Sequence, residues 1–280
     1  MLRLHDISSG RAERVVPESA RALRVHTCAP PAGRRPDLGD LRPHLLADLV
    51  RRVCERHRVR VVLHRVAEED GLRADTLALN MRPAEHTPGI DDPADPALAE
   101  VRADAVLLET VTGQRAVRRI GCGPVRLAGR ETAGDPRESR EAVQSGDAGR
   151  GAVTLADVAA AGLDPLAVRL ALLGHRYREA ADLSWDALEA ADRTLRLLRS
   201  RVAEWSEAPS SPMPAGHVAR IEAALDDDLD TPSALRLLAE LERDDTLAPG
   251  SRFEAFLHLD MVLALDLPAD IGRPPAHPGP

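Results

Sequence analysis

Segments near the start of the chain place apolar residues with the periods of regular secondary structure. Residues 22–28, ALRVHTC, alternate apolar and polar positions as a β-strand does, and residues 59–66, VRVVLHRV, form a second β-branched segment. Between them, residues 43–57, PHLLADLVRRVCERH, place their apolar side chains at helical spacing. This order predicts a βαβ unit in a parallel sheet, with the turn near residue 30 at the carboxyl edge, where α/β proteins bind ligands.

The rest of the chain separates into a polar segment and a helical one. Residues 97–111 form a short amphipathic segment, and the stretch from 130 to 151 holds almost nothing that a core could bury, which predicts a flexible loop. Beyond it the apolar residues follow the helical period, and the chain ends in a Pro-rich tail that we expect to be disordered. We therefore predict a sheet domain, a loop, an all-α bundle and a tail, over residues 1–129, 130–151, 152–267 and 268–280.

Polar residues predict where the helices of the second half begin. Asp164, Ser184 and Thr231 are N-cap candidates, and Pro165 occupies the first helical position, which proline favours. After Ser184, apolar residues recur at intervals of three and four: Leu188, Ala191, Leu195, Leu198, Val202 and Trp205. This spacing predicts a long helix with one buried face.

Composition excludes several classes of protein. The formal net charge is −8, with 45 acidic and 37 basic residues, which argues against nucleic-acid binding driven by overall charge. Every basic residue is arginine, so chemistry that requires a lysine is excluded. Three cysteines, Cys28, Cys54 and Cys122, are too few for a disulfide scaffold, and no stretch approaches the roughly 18 apolar residues of a membrane span. We expect a cytoplasmic protein that does not bind membranes.

An acidic turn, PDLGD, stands where an α/β protein would place a nucleotide-binding loop. Phosphate binding favours backbone N–H groups and cationic donors, yet Asp37 and Asp40 flank Gly39. A carboxylate about 4 Å from a phosphate is repelled by about 4 kcal/mol at an effective dielectric of ~20. Either the turn has lost phosphate binding and the aspartates are structural, or they hold a Mg²⁺ ion that bridges to a nucleotide.

Longer stretches resemble a known family. LRLHDISSGRAERVVP, LRVHTCAPP, VRVVLHRVAEED, LNMRPAEHTPG and GPVRLAGR precede a helical stretch that contains GHRY and then ALDDDLDTPSALRLLAEL. In this order, over roughly two-thirds of the chain, they resemble the cysteinyl-tRNA synthetases, a class I synthetase family. The chain is thereby identified as a truncated and divergent paralogue. The resemblance implies an α/β Rossmann-like, parallel-sheet domain followed by an all-α helical bundle.

The resemblance also implies roles for individual residues. The family's HIGH signature falls on a degenerate nucleotide-binding turn, whose residues are Asp37, Leu38, Gly39 and Asp40, with Arg42 shortly after it. The family's lysine loop, KMSKS, has no lysine here, and the cations near its position, where they could contact phosphate, are Arg130 and Arg150. Cys28 is what remains of the zinc ligand set, so we do not expect bound zinc. The bundle element HYR corresponds to His175, Arg176 and Tyr177.

These departures lead to an expectation about function. We expect a pseudoenzyme-like binding module for a small molecule or a protein partner, with a degenerate ATP and aminoacyl-adenylate site and no required cofactor. One alternative is an ATP- and Mg²⁺-dependent ligase that activates cysteine or a related amino acid for an acceptor other than tRNA. A second alternative is a tRNA-associated accessory protein.

Overall fold

The computed structural model describes residues 1–16, 22–28, 30, 33–66, 70–85, 105–110, 116–127 and 153–273. The chain begins with an antiparallel hairpin of β1 (Arg3–Asp6) and β2 (Arg11–Arg14). A four-stranded sheet follows, in the order β4-β3-β5-β6. Its strands are β3 (Ala22–Cys28), β4 (Arg60–Val66), β5 (Ala105–Thr110) and β6 (Ala116–Gly121).

The predicted βαβ unit is confirmed, but the all-parallel sheet was wrong. β3 and β4 are parallel, with Ala22 opposite Arg60, and α1 (Leu38–Arg56) connects them. β5 runs antiparallel to β3, and β6 antiparallel to β5. Only five residues separate β5 from β6, whereas a parallel connection needs a crossover of about a dozen or more. The segment predicted only as amphipathic therefore contributes an antiparallel strand.

Six helices follow in the second half of the described chain. They are α3 (Leu155–Ala160), α4 (Pro165–Leu173), α5 (Trp185–Trp205), α6 (Ala215–Asp226), α7 (Thr231–Arg243) and α8 (Pro249–Leu263), and α2 (Asp70–Ala78) precedes them in the first half. Asp164 and Ser184 cap α4 and α5 through their side chains, as predicted. The cap of α7 is Asp230 rather than Thr231, because the Asp230 carboxylate accepts from the backbone of Ser233.

Contacts far apart in sequence join the sheet to the helices. Two residues, Val125–Arg126 (β7), pair in parallel with Ala181–Asp182 (β8). The N-terminal hairpin contacts both parts, since the Arg3 carbonyl accepts from Asp228 N and the Ile7 N–H donates to the Arg119 carbonyl. One buried apolar cluster runs through the sheet, α1 and the later helices. None of the described helices is long and apolar enough to cross a membrane.

Parts of the predicted domain division fall outside the described residues. The loop predicted over 130–151 is among them, so the boundary between the two domains stays a prediction. A short 3-10 helix at Leu267–Asp270 extends into the first residues of the predicted tail, with Leu267 buried, and the described chain ends at residue 273.

Candidate functional site

The acidic turn forms the N-terminus of α1. Asp37 is the N-cap, and its Oδ1 accepts from the backbone N of Asp40 at 3.0 Å. Asp40 Oδ2 accepts in return from the backbone N of Asp37 at 2.8 Å, which completes a capping box. Arg34 donates to Asp37 Oδ2 at 2.9 Å and to Asp40 Oδ1 at 2.7 Å. All four carboxylate oxygens of the turn therefore have a partner within the protein.

This arrangement changes what the helix N-terminus can bind. The first N–H groups of a helix and its macrodipole favour a negative charge, which is why such ends bind phosphate. Here two side chains of the same turn supply the negative charge and accept from the N–H groups of Asp37 and Asp40. Leu38 is buried in the core, and a Cβ on Gly39 would lie 3.0 Å from Asp37 Oδ1. The turn is packed and hydrogen-bonded around its own carboxylates.

Arg42, which the resemblance assigned to nucleotide binding, is bound by backbone carbonyls. Its side chain is 3% exposed, and its Nη1 donates to the carbonyls of Gly123 at 2.7 Å and Glu179 at 2.6 Å. Its Nη2 donates to the carbonyl of Arg176 at 2.9 Å. Burial lowers the pKa of Arg42, and the carbonyls take the place of a solvation shell. Arg42 therefore connects α1 to two distant turns.

Residues 175–177, which correspond to the family's HYR element, contact the Asp-rich residues 227–230 that precede α7. Tyr177 donates from its hydroxyl to Asp228 Oδ1 at 2.5 Å, and Arg176 donates to Asp230 Oδ2 at 2.6 Å. Burial, followed by the hydrogen bond to Asp228, raises the pKa of Tyr177. His175 lies two residues beyond the end of α4, and its Nδ1 is 3.0 Å from the carbonyl of Ala171 on that helix. These side chains hold the helices and the N-terminal hairpin together, since Asp228 also accepts from His5 N.

The carboxyl end of β3 carries Cys28, the residue that the resemblance relates to zinc binding. Its thiol is half-buried, and burial raises its pKa, which disfavours the thiolate that a metal requires. His26 stacks on His64 of the neighbouring strand, with ring centroids 5.2 Å apart. Within the described ranges, no group of three or more His, Cys, Asp or Glu residues is placed to hold a metal ion. Arg130 and Arg150 lie outside those ranges.

A buried ionic network, which the sequence pattern did not predict, lies further along α1. Asp48 Oδ2 accepts from Arg52 Nε at 2.8 Å and from Arg169 Nη2 at 2.8 Å, and both Asp48 and Arg169 are 0% exposed. Burial opposes ionisation, but the two guanidinium groups hold the pKa of Asp48 below its usual value. The available signal was an Asp and an Arg, four residues apart, near the apolar face of the predicted helix.

His44 is a second buried polar group on α1. It is 1% exposed, and neither ring nitrogen has a hydrogen-bond partner among the described residues. Burial, and after it the positive charge of Arg65, lowers the pKa of His44 to about 3. The side chain is therefore neutral at physiological pH.

Parts of the chain are similar in sequence to known enzymes. The chain is 42% identical over 118 residues to an L-cysteine:1D-myo-inositol 2-amino-2-deoxy-alpha-D-glucopyranoside ligase of Acidothermus cellulolyticus, covering 41% of this chain and 28% of that protein. A ligase of the same name from Rhodococcus erythropolis is 38% identical over 116 residues, which cover 38% of this chain and 26% of that protein. Cysteine-tRNA ligase 1 of Burkholderia lata is 35% identical over 106 residues, which cover 38% of this chain and 22% of that protein. No family model matches the chain.

The mixed sheet with its following helices is compatible with the α/β fold of class I synthetases. The similarity to a cysteine-tRNA ligase and to the ligases named above, over 38–41% of this chain, supports a cysteinyl-tRNA synthetase-like family. The matched segments span about a quarter of the length of these curated relatives. The activity of this chain is therefore a separate question from that of its relatives.

Proposed function

We propose that this protein is a binding module built on a Rossmann-like domain and a helical bundle, with a degenerate adenylate site that does not activate an amino acid. The observation that carries the proposal is the N-terminus of α1, where Asp37 and Asp40 accept from the helix N–H groups and both pair with Arg34. The ligand we propose is a small molecule without a phosphate chain, or a protein partner.

Electrostatics supports this proposal. Two carboxylates and one guanidinium leave the turn with a formal charge of −1, next to a helix end that no longer offers the N–H groups of Asp37 and Asp40. A phosphate group would have to displace these hydrogen bonds and approach two negative charges. Arg42 is fully engaged with backbone carbonyls, so it does not compensate.

The absence of lysine supports the proposal that the site does not activate an amino acid. Adenylate formation develops negative charge on the leaving pyrophosphate, and a mobile cationic loop stabilises that charge in the transition state. The chain has no lysine, and arginine is a planar, forked donor that does not replace a compact ammonium group at such a site.

We predict that the purified protein shows no amino-acid-dependent ATP–pyrophosphate exchange, even with excess Mg²⁺ and a panel of amino acids that includes cysteine. An active cysteine-tRNA ligase, assayed in parallel, supplies the positive control. Cysteine-dependent exchange above the background without amino acid would overturn the proposal.

We predict that Asp37→His combined with Asp40→His strengthens ATP binding in the absence of Mg²⁺ by about tenfold, because removing the two carboxylates relieves repulsion worth about 1.4 kcal/mol or more. Isothermal titration calorimetry measures the change.

The matched control, Glu204→His with Glu240→His, alters the net charge equally at exposed positions of α5 and α7 and should not change the affinity. Tight binding by the unaltered protein that disappears with EDTA would instead support aspartates that hold Mg²⁺. The Asp37→His, Asp40→His variant should still show no amino-acid-dependent ATP–pyrophosphate exchange, because the chain has no lysine.

The alternative function is a ligase that joins an amino acid to an acceptor other than tRNA. It is favoured by the names of two of the relatives reported above, which are L-cysteine ligases for an amino-sugar inositol compound. Exchange with cysteine separates this alternative from the binding module. A gel shift with bulk tRNA tests the third candidate, a tRNA-associated accessory protein.

We predict that the protein contains no stoichiometric zinc. A structural zinc site takes four ligands, and the residues described around Cys28 do not supply them. Elemental analysis should find much less than one zinc per chain, and a chelator should leave the melting temperature unchanged. One zinc per chain, lost together with stability on chelation, would show that other residues complete a site.

A further inference from the structure

We draw no further inference here: the strongest candidate, the open groove of about 710 Å³ between the end of α5, the end of α7 and the start of α8, carries nothing, because its arginines Arg201 and Arg252 already pair with its own carboxylates and nothing in the described part of the chain shows what would occupy it.

Discussion

Replacing Asp48 by asparagine should lower the free energy of unfolding by about 3–5 kcal/mol, the loss typical of breaking a buried ion pair from one side. Asp48 is the shared acceptor of Arg52 and Arg169, and its other oxygen accepts from the backbone of Arg82. Without the carboxylate, the guanidinium of Arg169 stays fully buried and loses the side chain that pairs with it directly. Urea denaturation at pH 7 measures the change.

Two further variants test this explanation. Asp48→Leu combined with Arg169→Met removes the fully buried pair and should cost clearly less than the sum of the two single changes, because Arg169 no longer leaves a charge buried without its carboxylate. Arg52, which also loses Asp48, keeps its hydrogen bonds to the carbonyls of Met261 and Asn80. Glu240→Gln breaks exposed pairs with Arg220 and Arg236 and should cost less than about 1 kcal/mol. If Asp48→Asn cost no more than Glu240→Gln, the network would not stabilise the fold as its geometry indicates.

His44 should make the protein sensitive to acid well above pH 3. The pKa of His44 is about 3 in the folded protein, whereas an ordinary histidine side chain has a pKa of 6.5. The unfolded chain therefore binds the proton more tightly than the folded protein does. The stability contributed by the neutral side chain is present above about pH 6.5 and is lost as the pH falls towards 3. Between pH 7.5 and pH 5.0 this single group should account for a loss of about 2 kcal/mol.

The contribution of His44 is isolated by comparing the pH dependence of stability in a His44 variant with that of the unaltered protein. His44→Leu keeps a side chain of similar size, so the loss of stability between pH 7.5 and pH 5.0 should shrink by about 2 kcal/mol relative to the unaltered protein. His217→Gln, at a more exposed histidine, serves as the control for a general effect of removing an imidazole. An unchanged pH dependence in His44→Leu would show that His44 does not titrate between the two states as its burial requires.

Both predictions concern α1, which also carries the candidate site. Asp37 caps its N-terminal turn, Arg42 near the same end donates to carbonyls at residues 123–124 and 176–179, and Asp48 pairs with Arg169 of α4. The same helix therefore supports the site and joins the sheet to the later helices. Variants at Asp37 and Asp40 change the turn at its surface, whereas variants at Asp48 act on the whole fold.

Local pattern was sufficient for much of the architecture. The alternation in residues 22–28 and the helical spacing that follows predicted β3, α1 and β4, and Asp164 and Ser184 were recognised as caps. Each of these features depends on side chains within a few residues of one another. The resemblance to cysteinyl-tRNA synthetases, confirmed by the comparisons, also depended on contiguous stretches.

Long-range features were decided only when the chain folded. Strand direction depends on connections, and the antiparallel β5 therefore escaped a prediction made from periodicity. Arg42 binds carbonyl oxygens, which every residue carries, so no residue type marked its partners at residues 123, 176 and 179.

The amino-acid sequence by itself determined the βαβ unit, the helix starts at Asp164 and Ser184 and the resemblance to cysteinyl-tRNA synthetases, because each depends on residues that are neighbours in the chain. Tertiary structure alone decided that Arg42 meets the carbonyls of residues 123, 176 and 179 and that Asp48 meets Arg169, 121 residues away. A carboxylate has the same identity whether it repels a phosphate, caps a helix or neutralises a buried guanidinium. Its role depends on which charges and hydrogen-bond donors the folded backbone brings within about 3 Å of it.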